Sequence, residues 1–103
     1  MNRRALPNRR PAVSLQFAHG RIDYHGSASF DENLNTIEIF LDAGKPGSEV
    51  QAMARDCAVI ASLALQHGTP LAIMRKAVTR LDDGSAAGPM GRLLDLLEVR
   101  SYG

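Results

Sequence analysis

The chain reads as an α+β domain: a three-stranded antiparallel meander, then a long central helix and two shorter helices packed on one face of the sheet. Three observations predict this. Hydrophobic residues alternate with period two as far as Leu41, the period changes to 3.6 from Val50 onward, and short turn-forming stretches separate the segments. A length of 103 residues with 45% hydrophobic content fits one domain with a real core.

Residues 1–11, MNRRALPNRRP, are expected to form a flexible basic arm, because Pro7 and Pro11 interrupt regular structure and most side chains are polar. Residues 12–103 form the expected domain. In the first strand Val13, Leu15 and Phe17 alternate with Ser14 and Gln16. AHGR supplies a turn in which Gly20 is free to take positive φ. Ile22, Tyr24, Ala28 and Phe30 share the parity of a second strand, with Gly26 on their side marking a bulge or a close contact. After DENLN, the third strand places Ile37, Ile39 and Leu41 opposite Thr36, Glu38 and Phe40.

The long helix has Val50, Met53, Cys57, Ile60 and Ala64 at helical spacing, and Gln51, Arg55, Ser62 and Gln66 on a polar side. Its middle, CAVIASLAL, is apolar nearly all round, which predicts a helix at the centre of the fold. Gly68 ends it, and Thr69 with Pro70 opens the next, whose apolar line runs Leu71, Met74, Ala77, Val78 and Leu81. DDGSAAG is a loop, and Pro89 starts a last helix through Leu93, Leu94, Leu96 and Leu97. Consecutive residues of a helix differ by about 100°, so these leucines cannot all face the domain. Some are expected to serve a second copy in a two-fold homodimer, with the third strand at a sheet edge.

Four of the twelve basic residues, Arg3, Arg4, Arg9 and Arg10, lie in the first ten positions, leaving eight against eleven acidic residues in the rest. A basic arm on a mildly acidic body is a candidate nucleic-acid contact, although neither a basic helix nor a basic aromatic surface supports it. With one cysteine, Cys57, the chain forms no internal disulfide, which suits a reducing cytoplasm. No apolar run reaches the ~18 residues of a membrane span.

The stretch FLDAGKPGSEVQAM poses the main chemical question. A phosphate loop needs two glycines four residues apart, followed by Lys and Ser or Thr. Here Gly44 precedes Lys45 directly, and Pro46 removes an amide that the cradle would use. A helix cap fits better: Ser48 accepts from the amide of Gln51, Gln51 reaches back to the amide of Ser48, and Glu49 complements the helix dipole. His19 and His25 are positioned to approach across the first hairpin, but no ligand spacing joins them to His67 or Cys57. Glu38 either pairs with an arginine such as Arg21 or faces water. No nucleophile stands with a base, so the expected site has no catalytic, cofactor or metal residues.

Residues 21–98 resemble the TSCPD domain, which is found near the C-terminus of adenosylcobalamin-dependent ribonucleotide reductases and in small stand-alone proteins. The resemblance lies in Glu38-Ile39-Phe40, in the turn Gly44, Lys45, Gly47 and Ser48, in the apolar helix Ala58 to Leu65, and in Gly68-Thr69-Pro70. The motif that names the family falls near GSAAGPMGRLLDLL, and its cysteine is missing, which puts any metal or redox role of that cysteine in doubt. The resemblance implies a non-catalytic accessory domain in deoxyribonucleotide metabolism, without a cofactor of its own, whose protein partner is a reductase. It makes Glu38, Gly44, Lys45, Gly47 and Ser48 the candidate contacts with ligand or partner. The rivals are a nucleic-acid-binding regulator using the arginine arm and a nucleotide or small-ligand sensor at the Gly44–Ser48 turn.

Overall fold

The computed structural model describes residues 11–100. Arg3, Arg4, Arg9 and Arg10 lie outside the described residues. Three strands, β1 (Ala12–His19), β2 (Ile22–Phe30) and β3 (Thr36–Ala43), form an antiparallel sheet in the order β1-β2-β3. Three helices follow: α1 (Glu49–Gln66), α2 (Leu71–Ala77) and α3 (Pro89–Arg100). This is the expected α+β meander.

The period-two parity sets the sheet's two faces. Leu15, Tyr24, Ala28, Phe30, Ile37, Ile39, Leu41 and Ala43 are buried toward the helices. The other face is open and carries Ser14, Gln16, His25, Ser27, Glu38, Phe40 and Asp42. The DENLN reversal is built around Asp31, which is buried. Its Oδ1 accepts from the amides of Asn33 (2.8 Å) and Asn35 (2.9 Å), while Leu34 takes a left-handed φ of 65°.

Gly26 marks a close contact. A Cβ there would lie 2.7 Å from Leu93 Cδ1, so the missing side chain is what lets α3 settle onto β2. Leu93, Leu94 and Leu97 are each no more than 1% exposed, and Leu96 is half-buried. The expectation that part of this leucine set serves a second copy is therefore corrected: α3 spends it on the domain's own core.

The face assigned to α1 is also corrected. The residues it buries are Ala54, Ala58, Ala61, Ser62 and Gln66, whereas Met53 and Ile60 are 64% and 67% exposed and Cys57 is exposed. The reason lies in β3. An edge strand presents unpaired backbone groups, which proteins cover or disrupt. Ser62 Oγ accepts from the Ile39 amide and donates to the Ile39 carbonyl, both at 2.9 Å, and Gln66 Nε2 donates to the Ile37 carbonyl at 2.9 Å. The alanines let the helix approach closely enough for these bonds. The long helix keeps its expected central place but turns a different face to the sheet.

α1 ends in a Schellman motif. Gly68 has a φ of 102° and donates to the Leu65 carbonyl, and the Thr69 amide donates to the Ala64 carbonyl. Thr69 thus closes α1 and does not cap α2, whose N-cap is Pro70 without a side-chain bond. α2 stops at Ala77, so Leu81 lies beyond it and is exposed.

Candidate interaction surface

The Gly44–Ser48 turn is closed on itself. The Gln51 amide donates to Ser48 Oγ (3.1 Å), and the Ser48 hydroxyl donates to the Lys45 carbonyl (2.8 Å). The return bond from Gln51 goes to the amide of Gly47 (2.8 Å), not to that of Ser48. Gly47, at a φ of 77°, makes the reversal. The cap occupies the hydroxyl and two of the amides that a phosphate would need. Glu38 lies on the open sheet face, where its Oε1 accepts from Ser29 Oγ at 3.5 Å. Six residue steps along the strand, roughly 20 Å, separate it from Gly44, so these candidate contacts do not form one site.

On the same open face, Arg55 reaches from α1 around the edge of β3. Its guanidinium bonds Asp42 through Nε (3.1 Å) and Nη2 (3.4 Å) and stands 5.9 Å from the centre of the Phe40 ring. The hydrogen bond from Arg55 holds the Asp42 carboxyl below its ordinary value. His25 meets Phe40 edge-on at 6.4 Å. His19 projects from the other face of the hairpin, and its Nε2 bonds the Ala87 carbonyl at 3.1 Å, so the two histidines do not converge. Among the described residues no cluster of three or more His, Cys, Asp or Glu is arranged to hold a metal ion. Among them, no helix is long and apolar enough to cross a membrane.

A more apolar concave feature lies elsewhere. A groove of about 410 Å³ runs between the first half of α1 and the segment joining α2 to α3. Tyr24 and Leu41 form its floor. Val50, Met53 and Cys57 line one wall, and Val78, Gly88, Pro89 and Met90 line the other. No charged side chain is among the described residues that line it. The volume falls within the ~300–1,000 Å³ range of binding pockets, and the groove continues onto the exposed apolar side of α1.

The far wall is held by an ion-paired triad. Asp95 of α3 accepts from Arg80 Nη2 (2.8 Å) and from Arg75 Nε of α2 (3.1 Å), and Arg80 also donates to the Arg75 carbonyl (2.8 Å). Hydrogen bonds from Arg80 first, then Arg75, hold the Asp95 carboxyl below its ordinary value against the opposing effect of burial. The triad fixes α2 and its following turn against α3. Gly91 lets the helix start fit closely, since a Cβ there would meet Ala86 Cβ at 3.0 Å and Val78 Cγ2 at 3.1 Å.

Sequence reasoning found Val50, Met53 and Cys57 but assigned them to the core, and it missed the opposite wall. The available signal was Ser62 and Gln66, one turn apart beside a run of alanines, which marks a face that approaches backbone closely. No family model, curated protein or solved structure matches the chain at a significant level.

Proposed function

We propose that this chain is a non-catalytic interaction domain whose groove between α1 and α3 receives an apolar segment of a partner protein. The resemblance to the TSCPD domain makes that partner a ribonucleotide reductase of the adenosylcobalamin-dependent class and the setting deoxyribonucleotide metabolism. One observation carries the proposal: a solvent-open groove, lined by apolar and uncharged side chains, that continues onto exposed aliphatic surface. An uncharged groove offers little to a nucleotide's phosphates, whereas burial of a few partner side chains contributes ~1.5–3 kcal/mol each.

Titration calorimetry with such a purified reductase tests it. Gly88 lines the groove, and a Cβ there meets no atom within 4 Å, so Gly88→Leu adds a side chain with open space at its base. Wild type is expected to bind, and Gly88→Leu to weaken binding at least ~10-fold, or about 1.4 kcal/mol, with a similar melting temperature. Lys45→Ala should bind like wild type. Absence of binding, or loss in Lys45→Ala with Gly88→Leu unaffected, would overturn the proposal.

A further inference from the structure

We infer that the outward face of α1 is a self-association surface, on which a second copy of the chain packs its own α1 antiparallel about a two-fold axis. Met53, Asp56, Ile60, Leu63 and His67 follow each other at alternating three- and four-residue steps, the spacing of a two-helix seam. Val59 and Cys57 flank that line. Exposure is 64% for Met53, 57% for Val59, 67% for Ile60 and 39% for Leu63.

Three features favour a second copy over another occupant. The first is area. Four large apolar side chains, each more than a third exposed on one helix face, form a patch of the few-hundred-Å² size (roughly 300–600 Å²) that is the largest a typical monomer shows. That is comparable with the apolar share of the ~800 Å² that each partner gives to a standard interface.

The second is self-complementarity. An axis at the level of Ala58 sets Met53 opposite Leu63 of the other copy and Ile60 opposite Asp56, with every pairing repeated by symmetry. The third is the helix dipoles, which the antiparallel arrangement opposes, with Glu49 at the start of each helix level with His67 at the end of the other. Asp56 is the one charged residue inside the seam. A single polar residue there selects register and orientation at a cost in affinity.

This face of α1 shares Val50, Met53 and Cys57 with one wall of the groove, so the two readings are separated by Ile60→Glu, which lies outside the groove, and Gly88→Leu, which lies outside the seam. Sedimentation velocity of the full chain at about 50 μM is expected to give twice the chain mass. Ile60→Glu should give a monomer with an unchanged melting temperature, and Asp56→Leu should tighten association. The chain has one cysteine, so a short bis-maleimide joins two copies only through Cys57 of each, close to the axis. Wild type should cross-link in dilute solution and Ile60→Glu should not. A monomer at that concentration, or a dimer that survives Ile60→Glu and resists cross-linking, would overturn the inference.

Discussion

Two serines on one helix do different work, and their positions explain it. Ser48 stands before the first turn, where four amides lack helical partners, and it satisfies that of Gln51. Ser48→Ala should lower stability by ~1 kcal/mol, measured by urea unfolding. Ser62 sits mid-helix, normally a neutral place for serine, but its hydroxyl serves both the amide and the carbonyl of Ile39. Ser62→Ala leaves two buried backbone groups without that partner and should cost ~2 kcal/mol or more by the same method. The larger loss at Ser62 would show that closing the edge of β3 matters more than capping the helix. At Gly26 an added methyl would press on Leu93, which is fully buried and has little room to turn away. Gly26→Ala should therefore destabilise by ~1–3 kcal/mol through overpacking.

At the scale of elements, the sheet was legible because burial on one side imposes strict alternation. Val13-Leu15-Phe17 and Ile37-Ile39-Leu41 have the predicted parity, and β3 only runs two residues further, to Ala43. α1 was legible as a helix but not in its orientation. Large aliphatics normally point inward, yet here the inward face consists of alanines, Ser62 and Gln66, because the neighbour is strand backbone rather than side chains. The last helix showed the converse: its leucines looked too numerous for one side, but Gly26 opens space for Leu93, and that pairing of residues 67 positions apart is invisible in a linear reading. The groove was illegible for the same reason, since its walls come from α1 and from the distant Val78–Met90 segment.

The triad of Arg75, Arg80 and Asp95 belongs to this scale, since it ties α2 to α3. Because the folded carboxyl titrates below its ordinary value, the contribution of Asp95 is complete above about pH 4. It is lost as pH falls through the lowered folded value. Melting temperatures followed from about pH 5 to pH 2 should fall less steeply in Asp95→Asn than in wild type, from a lower starting value. Parallel curves would contradict a role for the triad in holding the groove wall.

For the whole molecule, the division of apolar residues is the informative feature. The core is served by the sheet, by the leucines of α3 and by the small residues and Leu65 of α1, while Met53, Val59, Ile60 and Leu63 of α1 stay exposed. The turn singled out by resemblance, Gly44 to Ser48, contributes a cap, while the exposed aliphatic surface and the groove beside it carry the functional reading. The most direct measurement is an amide-resolved NMR titration of the isotope-labelled chain with an adenosylcobalamin-dependent reductase. The account predicts shifts concentrated at Met53, Cys57, Val78, Gly88 and Met90. Shifts confined to Lys45–Ser48 or to the open sheet face around His25 and Phe40, or no shifts at saturating reductase, would contradict it.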